Sequence, residues 1–167
     1  SDTEVILAAY AKWGPSCLDR FVGMFAFVIY DSEQHSAFAA RDRFGIKPLY
    51  FTFDNGMVAV ASEIKQLLVL PGVTGRVNYV RAFDFLTASM SDHSPDTMFA
   101  GIHQLRGGEA FQIDCSTPGI RRLDVERWYR LPMPGSIDLG FVEAKDRFLE
   151  LLDESVQLHL RSDVRVG

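Results

Sequence analysis

Apolar and polar positions change their period several times along the chain, and each change marks an element. In the first 13 residues Val5, Ala8, Ala9 and Lys12 alternate with Ile6, Leu7 and Tyr10 at helical spacing. Ser1 and Glu4 have the S-x-x-E spacing of a capping box. The pattern predicts a helix from Ser1 to Trp13, apolar on most sides and therefore well buried. Gly14-Pro15 ends it, and a short turn or helix from Cys17 to Phe21 stops at Gly23. Met24–Tyr30, MFAFVIY, is an unbroken apolar run with aromatic and β-branched residues, which suits a strand buried on both faces. Asp31–Gln34 is a polar connection, and Ser36–Ala40 returns as a second strand. After the charged stretch Arg41–Gly45, Pro48–Phe53 and Met57–Ala61 form two more strands around Asp54-Asn55-Gly56, a hairpin signal. These four strands are expected to follow one another as an antiparallel meander.

Ser62 is the predicted cap of a helix through Leu68, and Pro71-Gly72 breaks the chain. Asn78 caps a predicted helix from Tyr79 to Ala88, followed by a polar loop, Ser89–Asp96. Met98–Leu105 is short and extended. Arg106-Gly107-Gly108 is a turn, and Glu109–Ile113 with Arg121–Tyr129 makes a final ribbon. Leu131–Ile137, with two prolines and a glycine, reads as a linker. Phe141–Leu160 is a long helix with Phe141, Ala144, Phe148, Leu151, Leu152 and Val156 along one side. The closing LRSDVRVG reads as a strand just beginning, so both ends are expected to be cut. The predicted domains are 1–131, a linker 132–138, and 139–167 as the start of a second domain.

Composition narrows the function classes. The chain has 167 residues, 47% hydrophobic and 23% charged, with a net charge of -5. An acidic chain without clustered Lys and Arg argues against a nucleic-acid surface. No apolar run approaches the roughly 18 residues of a membrane span. The first residues carry no basic segment of a signal peptide. Two cysteines, Cys17 and Cys115, make neither a disulfide framework nor a metal cluster; a reducing, cytoplasmic setting fits. His35, His93, His103 and His159 are scattered, without metal-ligand spacing.

Several stretches together resemble one family. SDTEVILAAYAKWG, GMFAFVIYD, ARDRFGIKPLYF and ASEIKQLL are similar to the class II glutamine amidotransferase domain of glutamine-hydrolysing asparagine synthetases. RVN, IHQLRGGEAF and RWY resemble the segment that closes that domain. LLDESVQLHLRSDVRVG resembles the helix and strand leading into the synthetase domain. The resemblance implies an α+β fold: part of an αββα N-terminal-nucleophile sandwich with mainly antiparallel strands, then the first helix of an α/β synthetase domain. It implies a parent ligase that hydrolyses glutamine at an N-terminal Cys and passes ammonia through a channel. The acceptor would be aspartate activated with ATP and magnesium, and the product asparagine. The family's Cys-Gly start and SGGLDSS loop are not in this sequence. The expectation is therefore that both catalytic centres lie outside it, that the piece alone is inactive, and that it holds no cofactor.

The resemblance assigns Asp2 to glutamine binding. An ionised carboxylate can pair with the α-ammonium of a free amino acid; the plain alternative is a first-turn Asp favoured by the helix dipole. Met24 matches a methionine lining the ammonia channel, and Ile46 is a candidate for the same wall; either could equally be core. Arg41, Asp42 and Arg43 are candidates for an interdomain contact, or form a surface loop of ordinary ion pairs. Lys47 and Glu63 fit the surface reading. Internal Cys17 lacks the α-amino group that serves as base for an N-terminal nucleophile and is expected to be packed and inert. Ser1 starts a helix rather than a strand, which disfavours it as a nucleophile. Two rivals stand beside the synthetase: a relative acting on another carboxylate acceptor, and a non-catalytic glutaminase-like interaction module. A homodimer stays open.

Overall fold

The computed structural model describes residues 1–120, 122–133, 135 and 138–160. Its chain divides into two units, Ser1–Arg130 and Leu131–Gly167.

The first unit opens with α1 (Asp2–Trp13), where the Glu4 carboxylate accepts from the Ser1 nitrogen at 2.5 Å. A 3-10 helix, Gly14–Arg20, follows directly. The strands are β1 (Ala26–Asp31), β2 (Ser36–Arg41), β3 (Tyr50–Asp54), β4 (Met57–Ala61), β5 (Ile102–Gln104), β6 (Glu109–Asp114) and β7 (Val125–Arg127). Between β4 and β5 lie α2 (Ile64–Leu67) and α3 (Tyr79–Ala88). Asn78 caps α3 as expected, its Oδ1 accepting from the Arg81 N–H at 3.4 Å.

Pairing separates the strands into two antiparallel sheets, ordered β1-β2-β6-β7 and β4-β3-β5. The fold is thus α+β, as expected, but the expected four-strand meander is not formed. β2 turns away from β3 and takes β6 as its second neighbour, with Ala40 opposite Ala110. β3 takes β5, with Thr52 opposite Ile102. The segment 42–49 carries the chain from one sheet to the other.

Alternation along β2 explains the layering. Phe38 and Ala40 face a core shared with Ala9 of α1, Cys17 and Leu18. Ala39 faces the opposite way, into a core with Leu49, Phe51, Leu105, Phe111 and Ile113. Small alanines in the middle strand let both layers approach closely. β2 is therefore buried on both faces, as is its neighbour β6, with Ala110 in the first core and Phe111 in the second. The MFAFVIY run is not: β1 is a sheet edge, and its Tyr30 is 60% exposed. α1 is also less buried than expected. Only Ala9 is buried, and Val5 is 62% exposed, because the helix covers the sheet with one side, where Tyr10 stacks on Phe38.

In the second unit, α4 spans Phe141–His159. Its Phe148, Leu151, Leu152 and Val156 are exposed. Arg121, at the start of the expected ribbon, lies outside the described residues. So do Pro134, Ser136 and Ile137 of the expected linker and 161–167 of the expected final strand.

Candidate functional site

The stretch Arg41-Asp42-Arg43 is an internal junction of the first unit. Asp42 is 0% exposed. Its Oδ1 accepts the backbone N–H of Phe44 at 3.1 Å and of Ile46 at 3.0 Å. Its Oδ2 accepts from Phe25 at 3.2 Å and Lys47 at 3.0 Å. Its own N–H donates to the Phe25 carbonyl at 2.8 Å, and its carbonyl accepts from Gly45 and Gly108. These donors lie on non-sheet backbone, where buried N–H groups have no ladder partner. One side chain supplies the acceptors.

Arg41 complements it with donors. Nε donates to the Lys47 carbonyl, Nη1 to Leu105 and Nη2 to Gly45, each at 2.6 Å. Burial pushes this guanidinium below its usual pKa, while nearby Tyr50 and Asp42 push the other way. Arg43 Nη2 donates to the Asp19 carbonyl at 3.1 Å, and its guanidinium lies 5.7 Å from the Trp128 ring centre and 5.2 Å from that of Tyr129. Arg41 and Asp42 thus direct their polar atoms into their own unit.

The junction ties down the two segments that carry Met24 and Ile46. Phe25, the neighbour of Met24, and Ile46 itself both donate to the Asp42 carboxylate. Each keeps its side chain partly open, Met24 at 41% and Ile46 at 47% exposure. Asp2 is not joined to this pair by any hydrogen bond or ion pair among the described residues. It sits exposed in the first turn of α1.

Among the described residues Lys47 enters the junction through its backbone, whereas Glu63 pairs at the surface with Lys65 at 2.6 Å. Cys17 is completely buried, and burial pushes its thiol pKa up, away from the reactive thiolate. Cys115 is exposed. Among the described residues no group of three or more His, Cys, Asp and Glu could hold a metal ion.

Sequence reasoning missed a second polar centre. Glu109 is buried, and Arg106 reaches it through Nε at 2.8 Å and Nη2 at 2.7 Å. Arg127 adds a contact at 3.3 Å. Burial alone would raise the Glu109 pKa, but the bonds and charge of Arg106, with the bond from Arg127, outweigh it and hold the carboxyl below its usual value. No local period signals this pair, because the turn Arg106–Gly108 and the start of β6, not a helix face, bring the two side chains together. Both residues line a cleft of about 360 Å³ with Phe51, Phe53 and Val125. Asp2, Met24 and Ile46 are not among its described lining residues.

Residues 1–124 match the family described as glutamine amidotransferase domain. Over 170 residues, 99% of this chain, the sequence is 37% identical to a putative glutamine-hydrolysing asparagine synthetase of Mycobacterium bovis, of which it covers 26%. It is 31% identical over 166 residues to asparagine synthetase 3 of Bacillus subtilis, covering 99% of this chain and 26% of that protein. It is 32% identical over 173 residues to Amidase chry2 of Gibberella zeae, covering 100% of this chain and 24% of that protein. The chain therefore spans about a quarter of the length of these curated relatives.

Proposed function

We propose a function for a chain that belongs to the glutamine amidotransferase domain family: it is the glutamine-handling part of a glutamine-hydrolysing asparagine synthetase. The observation that carries the reading is the alignment of 99% of the chain with proteins of that name. Glutamine binds with its α-ammonium against Asp2, an exposed carboxylate at a helix start that can form a charge-assisted bond. The parent chain supplies the attacking Cys. Ammonia released there passes the apolar side chains of Met24 and Ile46, which keep it out of water and unprotonated. The acceptor is aspartate activated by ATP with magnesium, held by parts of the parent outside this chain. The proposed setting is the cytoplasm, in amino-acid biosynthesis, with a homodimer as a further proposal. A second reading has the parent deliver ammonia to a different carboxylate; Amidase chry2, a similar protein whose name does not mention asparagine, leaves room for it.

Asp2→Ala in the full-length protein tests the binding role. The expected result is a strongly raised KM for glutamine with ammonia-dependent synthesis preserved. Equal loss of both activities would assign Asp2 to folding instead.

A further inference from the structure

We propose that Asp42 is a positioning residue for the ammonia passage, tying Phe25, the neighbour of Met24, and the turn that carries Ile46 to one carboxylate through four backbone hydrogen bonds. The inference rests on the passage proposed above. Its warrant is how the bonds divide. Oδ2 holds Phe25, the neighbour of Met24, and Oδ1 holds Ile46. Phe44 and Lys47 fix the remainder of the same turn. The side chain itself is 0% exposed, so the carboxylate directs its acceptors to these backbone N–H groups rather than to solvent. The two wall residues come from segments 22 positions apart in sequence, and Asp42 is a shared anchor. An arrangement serving the fold alone would need these N–H groups satisfied, but would not require the two wall segments to share one carboxylate.

Asp42→Asn separates the possibilities. Asparagine keeps one acceptor oxygen and replaces the other with an NH₂ donor. Either the Phe25 and Lys47 pair or the Phe44 and Ile46 pair then loses its acceptor, and one wall segment is released. In the full-length protein, glutamate released per product amide should rise several-fold as ammonia escapes. The KM for glutamine and the rate with added ammonia should stay near wild type. An unchanged ratio, or an equal loss of the glutamine-dependent and ammonia-dependent rates, would overturn the proposal. Should the variant not fold, hydrogen exchange in the wild-type protein decides. The amides of Phe25, Phe44, Ile46 and Lys47 should be protected together; Ile46 exchanging freely while Phe25 is protected would overturn it. Failure of the underlying reading looks different, since the wild-type protein would then release no glutamate from glutamine.

Discussion

Gly107 and Gly45 lie backbone against backbone. A Cβ on Gly107 would sit 2.7 Å from the Gly45 nitrogen, and one on Gly45 would sit 3.1 Å from the Gly107 nitrogen. This approach seats the 42–47 turn, with its Asp42 hub, against the turn that leads into β6. Gly45 also has a φ of +68°, a conformation that side chains disfavour.

Gly107→Ala should therefore destabilise the first unit by about 1–3 kcal/mol, because the atoms it meets are backbone and cannot swing aside. A urea unfolding curve checks this. Gly75→Ala is the control, since its Cβ would meet only Leu68 Cδ2 at 3.9 Å, and it should be close to neutral.

Arg41→Lys should lower stability by about 1–3 kcal/mol, since unmatched buried carbonyls bear the loss. A lysine ammonium is a compact charge and cannot copy the planar fork that reaches three carbonyls. A thermal unfolding midpoint equal to wild type would show that these bonds contribute little.

Glu109 gives the fold a pH dependence with a definite sign. Its folded pKa is held below the ordinary value of 4.5. Its contribution is thus fully present above about pH 4.5 and is lost as the pH falls through the lower folded value. Unfolding free energies measured from neutral pH downward should decline in that range. In Glu109→Gln the decline should be shallower, and an unchanged slope would assign it to other carboxylates.

Much of the element order was legible because local signals agreed with the final structure. The Asn55-Gly56 turn joins β3 to β4 with both residues at positive φ, and α3 begins after its Asn78 cap. Which strands pair was not legible. The β2–β6 and β3–β5 ladders depend on long-range contacts that leave no local period. The apolar MFAFVIY run suggested the most buried strand, yet that place belongs to alanine-rich β2. A hydrophobic run reports what a strand could bury; neighbouring layers decide what it does bury.

At the site, charge patterning identified Arg41, Asp42 and Arg43 as unusual but pointed outward. Three charged residues in a row resemble a surface loop, and the fourfold backbone acceptor at Asp42 appears only once Phe25 is placed beside it. The family resemblance singled out Met24 and Ile46 individually. It gave no sign that a single carboxylate bonds both Ile46 and the neighbour of Met24.

In the proposed function, nitrogen from the glutamine side chain travels past this unit to an acceptor without entering water. Glutamine labelled with ¹⁵N at its side-chain amide, supplied to the full-length protein with excess unlabelled ammonium, tests this most directly by mass analysis of the product. The expected product amide keeps the glutamine label despite the competing ammonium. A product carrying mostly unlabelled nitrogen, with labelled ammonia released to solution, would contradict it.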